Sequence, residues 1–222
     1  MAALRKVGIL GSGEVARSLA IGFANLGHSV MVSNRDKPQP ETLQWSKAVS
    51  QTIQVGSFAE ASHFGDLVVL ATLGLATEQA IKKAGLDSFN QKIVLDTTNP
   101  LDFSQGFPPV LAGTVGDSGG ERIQRLLVQS KVVKVFNTVG NKVMFKPHFA
   151  AGRPDMFICG DDESAKAEVV RLLDSFGWNA VNVGTMGSAH YLEAMAMVWI
   201  LSASFSQPQR WDQAFKMLQH PA

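Results

Sequence analysis

A glycine-rich turn near the amino terminus has the residue types and the spacing that hold a dinucleotide. Gly11, Gly13 and Ala16 form a Gly-x-Gly-x-x-Ala pattern between an apolar run and an amphipathic one. The first glycine permits a tight turn, the second lets the backbone approach a pyrophosphate, and the small third residue lets helix and strand pack closely. Unpaired N–H groups and the dipole at the start of the helix favour the anion. The sequence therefore predicts a pyrophosphate site at this turn.

The residues roughly 20 positions after the turn decide which dinucleotide fits. An acidic side chain there would hydrogen-bond the ribose 2′-hydroxyl of NAD and repel a 2′-phosphate. This chain instead has Ser33, Asn34 and Arg35, and Lys37 follows closely. Arg35 can donate two hydrogen bonds to phosphate oxygens or stack on the adenine, and Ser33 can donate to the same phosphate. We therefore expect NADP(H); the alternative is a solvated basic turn in which Asp36 neutralises Arg35.

Predicted strands and helices alternate along the chain and place both motifs at strand ends. The predicted strands span 6–10, 29–33, 53–55, 66–71, 92–96, 132–136, 156–159 and 178–183. Helices are predicted at 43–49, 77–84, 121–129 and 188–205, and also between the first strand and Gly27, from a capping box at 57–60, and between the acids at 161–162 and Gly177. Residues 97–120 are rich in loop-forming residues. Alternation of this kind is typical of a parallel sheet with helices on both faces. The expected fold class is α/β: a Rossmann-type, doubly wound, mostly parallel sheet with a small carboxy-terminal α/β extension.

Composition excludes several classes of partner. The net charge is +1 and no Lys/Arg cluster is present, so we expect no nucleic-acid partner. The uncharged apolar run at 194–205 is shorter than the roughly 20 residues that span a bilayer, which predicts a buried helix and no membrane partner. The single cysteine, Cys159, forms no intramolecular disulfide. The first strand begins by Lys6, leaving no room for a signal peptide, and we expect a cytoplasmic protein.

No general-acid or general-base constellation is evident in the sequence. The single tyrosine, Tyr191, has Met195 four residues later, so the Tyr-x-x-x-Lys pair of short-chain dehydrogenases is absent. The five histidines show no metal-ligand spacing. Only His190 is expected near the site, either at a helix start or as a catalytic group. Hydride transfer between two redox cofactors requires mainly proximity and orientation, whereas carbonyl or imine reduction normally requires a proton donor.

The chain resembles the NADPH-dependent reductases of the deazaflavin coenzyme factor-420 over nearly its whole length. The resemblance rests on the Gly-Ser-Gly-Glu-Val-Ala turn, on Phe-Asn-Thr-Val at 136–139, on Cys-Gly-Asp-Asp at 159–162 and on residues 183–193. The reductase domain of STEAP-type metalloreductases is similar. The resemblance implies an NADP-binding Rossmann domain, here 1–137, and a lobe, here 138–222, over the nicotinamide. It also implies direct hydride transfer between NADP(H) and a flavin-like small molecule.

The same resemblance implies a set of cofactor contacts at successive strand ends. Asn137 and Thr138 would lie by the nicotinamide, and hydride transfer by proximity would require no catalytic side chain. The full set of implied cofactor-binding residues is Gly11, Ser12, Gly13, Glu14, Val15, Ser33, Asn34, Arg35, Lys37, Thr72, Leu73, Asn99, Pro100 and Asn137.

The chain departs from the family pattern at 184–190, where the flavin-like ring is expected. Relatives tend to have Gly-Pro-Leu-Ser and then an Arg, whereas this chain has Gly-Thr-Met-Gly-Ser with His190 at the Arg position. The acceptor can therefore be a deazaflavin, an ordinary flavin or another small molecule. The alternatives are a non-catalytic NADP(H)-binding or sensing module and an imine or carbonyl reductase. The last helix is expected to close the core, and a homodimer seam is the alternative.

Overall fold

Apolar, β-branched runs form the strands and amphipathic runs form the helices, in the alternating order that the sequence predicts. The computed structural model describes residues 5–218 and 220. Its strands are β1 (Lys6–Leu10), β2 (Ser29–Asn34), β3 (Ile53–Ser57), β4 (Leu67–Leu70), β5 (Ile93–Asp96), β6 (Leu101–Asp102), β7 (Val110–Leu111), β8 (Lys131–Lys134), β9 (Asp155–Gly160) and β10 (Asn179–Asn182). Its helices are α1 (Glu14–Asn25), α2 (Pro40–Val49), α3 (Phe58–Phe64), α4 (Thr77–Ala84), α5 (Gly119–Leu126), α6 (Glu163–Phe176) and α7 (Ala189–Phe205).

The main sheet has eight strands in the order β10-β9-β8-β5-β4-β1-β2-β3. The neighbouring strands β8, β5, β4, β1, β2 and β3 are all parallel to one another. The strand order reverses beside β1, as in a dinucleotide-binding fold. β9 pairs antiparallel to β8, with Gly160 opposite Val133, and β10 is parallel to β9. The expected α/β fold is therefore confirmed. The proposed boundary at residue 137 falls between two strands that share this sheet.

Helices cover both faces of the sheet and bury its apolar side chains in two layers. One layer packs β1 and β9 against α1 and α6, and the other packs β4 and β5 against α4, α5 and α7. β4 is buried at every position, as expected for a central parallel strand. The inner face of α7 is buried, which confirms that the helix closes the core along that face. No helix in the described part of the chain is long and apolar enough to cross a membrane.

Local chemistry explains where element boundaries differ from the prediction. α2 begins at Pro40 rather than 43, because the fixed φ of proline suits the first helical position. α5 begins at Gly119 rather than 121, because Ser118 and Glu121 form a capping box. β8 ends at Lys134 rather than 136, and Phe136 has a φ of 59°, which a strand does not accommodate. The loop at 97–120 also contains the short antiparallel pair β6–β7.

A buried lysine joins the carboxyl ends of two central strands to α7. Lys134 on β8 lies opposite Asp96 on β5, and its Nζ is 2.7 Å from the Asp96 carboxylate. Glu193 on α7 approaches the same Nζ to 3.0 Å, and all three side chains are fully buried. Lys134 also donates to the carbonyl of Thr98. This ionic triad therefore fixes α7 against the end of the sheet.

Glu193 of the triad also caps the amino terminus of α5. The two carboxylate oxygens of Glu193 accept from the N–H groups of Gly119 and Gly120, at 3.1 and 2.9 Å. Burial alone would lower the pKa of Lys134, but the adjacent Asp96 and Glu193 carboxylates outweigh it and raise that pKa. Stability from this raised pKa is present below the ordinary lysine pKa and is lost only as the solution becomes strongly alkaline. Lys134 is therefore charged at neutral pH.

Replacement of Lys134 by methionine should destabilise the fold by about 3–5 kcal/mol, because two buried carboxylates would lose their counter-ion. The matched control is Lys131→Met on the same strand, whose partly exposed ion pair with Asp162 should contribute less than about 1 kcal/mol. Urea unfolding at neutral pH measures both free energies. Equal losses in the two variants would contradict a special role for the triad.

The thiol of Cys159 should be unreactive in the folded protein. Cys159 is fully buried on β9, and this burial raises its pKa to about 12. Thiolate is the reactive form, so at pH 8 iodoacetamide should label the protein only as fast as it unfolds. Because the chain has one cysteine, mass spectrometry of the labelled protein reports this rate directly. Complete labelling in minutes without urea, at the rate seen in urea, would contradict the prediction.

Candidate dinucleotide-binding site

The carboxyl ends of the parallel strands open into a cavity of about 770 Å³. The glycine-rich turn at 11–15, called the phosphate turn below, lines one part of the cavity together with Arg35 and α4. Residues 97–99 and Phe103 line another part. The cavity lies beside β1 and β4, where the strand order reverses and doubly wound sheets bind ligands. Every lining residue comes from the stretch between Gly11 and Phe103.

The phosphate turn has the geometry that a pyrophosphate requires. Gly11 has a φ of 132°, and a Cβ there would lie 2.3 Å from the carbonyl oxygen of Ala71, so only glycine fits. A Cβ on Gly13 would meet no protein atom within 4 Å, which leaves the backbone open toward the cavity. No side chain caps the amino terminus of α1. Its first N–H groups therefore remain available to an anion, and the turn fits the diphosphate of a dinucleotide.

The predicted turn residues Ser12, Glu14 and Val15 also line the cavity. Ser12 is held from two directions: its carbonyl accepts from the Arg17 guanidinium at 3.0 Å, and its hydroxyl accepts from the Asn34 amide at 2.8 Å. The Oδ1 of Asn34 in turn accepts from the backbone N–H of Gln39. Asn34 therefore links the phosphate turn to the loop after β2, a positioning role that its place in the sequence does not reveal.

Arg35 lines the cavity and is exposed. It forms no ion pair or hydrogen bond with any residue that the structure describes. The neighbouring Asp36 pairs with Lys83 of α4 and not with Arg35. The alternative in which Asp36 neutralises Arg35 is therefore not the observed arrangement. Lys37 is exposed and lies outside the cavity lining.

Ser33 is placed differently from its predicted role. It is fully buried within β2, and its hydroxyl donates to the carbonyl of Ile9 at 2.7 Å. The prediction that Ser33 donates to the 2′-phosphate is corrected here, because this hydroxyl faces the neighbouring strand β1. Alternating strand residues point to opposite faces, so a position near a strand end does not decide whether a side chain reaches the ligand.

Lys83 lines the cavity although sequence reasoning did not single it out. It lies on α4 with Gln79 and Ala80, which line the same wall. Positions i and i+4 share one face of a helix, so Gln79 and Lys83 project to the same side. The predicted helix at 77–84 was the available signal, but the sequence does not say which face of that helix meets the phosphate turn.

The loops after β4 and β5 line the remainder of the cavity, and they include Thr72, Leu73 and Asn99. Leu73 is 79% exposed, and Thr72 shares a 2.9 Å hydrogen bond with Thr77 at the start of α4. The hydroxyl of Thr97 donates to the carbonyl of Leu70. These hydrogen bonds hold both loops in place.

Asn137 and Thr138 lie behind the cavity wall rather than in it. Asn137 is 4% exposed, and its amide donates to the side chain of Asn99 and to the carbonyl of Leu192 on α7. Asn99 donates back to the Asn137 carbonyl. Thr138 and Pro100 are buried and outside the lining. Asn137 holds Asn99, which faces the cavity, and contact of Asn137, Thr138 or Pro100 with the nucleotide stays a prediction.

The segment 184–190 also lies outside the cavity lining. β10 runs antiparallel to β8, and the segment that follows β10 lies beside β8. The carbonyl of Gly184 accepts from the N–H of Gly160, and Gly160 pairs with Val133 of β8. Met186 is buried, and its N–H donates to Asp161. His190 lies in the first turn of α7 with its Nδ1 buried and unpaired among the described residues. The placement of this segment beside the acceptor stays a prediction.

A family model and several known proteins match this chain. A family model described as NADP oxidoreductase, coenzyme F420-dependent, matches residues 6–100, nearly the same stretch that lines the cavity. A solved structure of a candidate F420-dependent NADP reductase from Arthrobacter sp. FB24 has a TM-score of 0.90 and 35% identity, covering 97% of this chain and 100% of that one.

Two curated relatives match over most of the chain. The F420-dependent NADP reductase of Methanocaldococcus jannaschii is 28% identical over 88% of this chain and 91% of its own length. Metalloreductase STEAP3 of Rattus norvegicus is 29% identical over 86% of this chain, but the match spans only 36% of that protein. The match to the Arthrobacter structure covers both chains almost completely, and the family model agrees with it. The chain therefore belongs to the coenzyme F420-dependent NADP oxidoreductase family, and it is an oxidoreductase.

Proposed function

We propose that this protein transfers a hydride directly between NADPH and a flavin-like acceptor, either the deazaflavin F420 or a flavin. NADPH supplies the hydride, and the chain positions the two rings. The phosphate turn and Arg35 bind the diphosphate and the 2′-phosphate, and Thr72, Leu73 and Asn99 lie along the ribose and nicotinamide. A single, buried, unpaired thiol fits the proposed cytoplasmic location.

The observation that carries this proposal is the chemistry of the cavity wall beyond Thr97. The described lining residues there are Thr97, Thr98, Asn99, Leu101 and Phe103. None is acidic, basic or a histidine, and the hydroxyls of Thr97 and Thr98 donate to protein oxygens. A carbonyl or imine substrate needs a proton donor at this point. A flavin-like ring accepts the hydride without one, so it suits this wall better.

The same wall offers apolar surface to a flat ring. Leu73 and Leu75 on one loop and Phe103 after β6 line the cavity, and Phe103 is 54% exposed. Large apolar side chains exposed around a cavity are typical of ligand-binding sites. We place the acceptor ring against these three side chains, next to the loop that carries Asn99.

Direct transfer can be tested under anaerobic conditions with NADPH deuterated at the transferring nicotinamide carbon. With F420, the label should appear on the ring carbon of the product, because a C–H bond does not exchange with water. FMN, FAD, a quinone, a cyclic imine and a ketone are assayed in parallel by loss of nicotinamide absorbance. Tight NADPH binding without turnover would indicate a sensing module, and turnover of only the imine or ketone would indicate a carbonyl or imine reductase.

Replacement of Arg35 by alanine should weaken NADPH binding by about 1–3 kcal/mol more than NADH binding, because only NADPH offers the 2′-phosphate that this charge would pair with. Fluorescence titration of both nucleotides gives the two losses. Lys47→Ala is the control, since Lys47 is an exposed cation on α2 outside the cavity lining. Equal losses of NADPH and NADH affinity in the Arg35 variant would contradict the assignment.

Replacement of Phe103 by alanine should raise the acceptor KM by about tenfold, because part of the apolar surface for the ring would be removed. The KM for NADPH should stay within a factor of two. Phe205→Ala is the control, because Phe205 is exposed at the end of α7, outside the cavity lining. A rise of the NADPH KM alone would place Phe103 at the nucleotide and not at the acceptor.

A further inference from the structure

The ion pair between Lys83 and Asp36 lies at the part of the cavity nearest to Arg35. Asp36 directly follows Arg35, and Lys83 reaches it from α4. Both cations, Arg35 and Lys83, line the cavity, and Asp36 does not. The two side chains of the pair keep 41% and 68% of their surface exposed. The pair is therefore open to water and to an incoming ligand.

We propose that Lys83 is a second ligand of the NADP(H) 2′-phosphate and that Asp36 holds it until the phosphate replaces the carboxylate. This inference rests on the proposed use of NADP(H) at this site. Lys83 acts as an exchangeable cation: paired with Asp36 in the free protein and with phosphate oxygens in the complex. Arg35, which has no partner among the described residues, binds the same phosphate without an exchange.

Charge and exposure favour this exchange. A ribose 2′-phosphate carries between one and two negative charges near neutral pH, so it attracts a lysine more strongly than one carboxylate does. An exposed ion pair contributes little stability, so releasing Asp36 into water costs little. The Lys83 ammonium on its flexible stem can change partners without moving the helix backbone. NADH has no 2′-phosphate and gains nothing from the exchange.

The position of Lys83 on α4 supports this role over a purely structural one. Gln79 and Ala80 line the same wall as Lys83, so this face of the helix borders the cavity. Ile81, on the side of α4 opposite Lys83, is buried in the core. Lys82 is exposed and outside the lining, although it has the same charge and neighbours Lys83 in the chain. The chain thus provides its own control for the general effect of a lysine on this helix.

Lys83→Met should weaken NADPH binding by about tenfold and change NADH binding by less than twofold, since one exposed charge-assisted contact is lost. Lys82→Met should change either affinity by less than twofold. Asp36→Asn should strengthen NADPH binding by about two- to fivefold, because the competing carboxylate is removed, and should leave NADH unchanged. Fluorescence titrations at two salt concentrations measure these affinities, and circular dichroism verifies that each variant is folded.

Three results would overturn the inference: equal loss of NADPH and NADH affinity in Lys83→Met, equal effects of the Lys82 and Lys83 variants, or weaker NADPH binding in Asp36→Asn. Arg35→Ala is titrated alongside to separate this inference from the proposed function. If Arg35→Ala loses NADPH selectivity and Lys83→Met does not, only the role of Lys83 is wrong. If neither variant changes selectivity, the assignment of this loop to the 2′-phosphate is wrong as well.

Discussion

The buried contact of Lys134 with Asp96 and Glu193 is the constraint on which the far end of the site depends. It joins β5, β8, α5 and α7 at one point, and Lys134 also holds the carbonyl of Thr98 on the cavity wall. Burying charge is costly unless every partner is present. The cavity wall beyond Thr97 is therefore held in place by the triad, which is buried behind it. A fixed wall suits a reaction that depends on the spacing of two rings.

At the other end of the cavity, Asn34 sets the position of the phosphate turn relative to the loop after β2, because it is hydrogen-bonded to both. One amide thus fixes the proposed diphosphate and 2′-phosphate subsites relative to each other. The two ends differ in chemistry: backbone N–H groups and cations line the proposed phosphate end, whereas apolar side chains such as Leu73 and Phe103 border the proposed acceptor region. This asymmetry favours one orientation of a bound dinucleotide under the proposed function.

Local patterns were sufficient to predict the fold and the phosphate turn, because Gly11, Gly13 and the strand–helix alternation act over short stretches. They were not sufficient for contacts that depend on side-chain direction or on a distant element. Ser33 points into the sheet, Asn137 supports Asn99 from behind, and Lys83 arrives from another helix. No short-range signal marks the reversal of β9 and β10 either, and this reversal decides where the segment before α7 lies.

The distribution of the cavity along the chain has a consequence for its synthesis. All lining residues have left the ribosome once Phe103 is exposed, but the Leu192 carbonyl and Glu193 carboxylate that brace them come about 90 residues later. At ordinary translation rates this interval lasts roughly 5–20 s. Until Glu193 is synthesised, Lys134 and Asp96 lack the third member of the triad. Until Leu192 is synthesised, the Asn137 amide lacks one of its two hydrogen-bond acceptors. A nascent chain therefore acquires the walls of the cavity well before the contacts that stiffen the acceptor end.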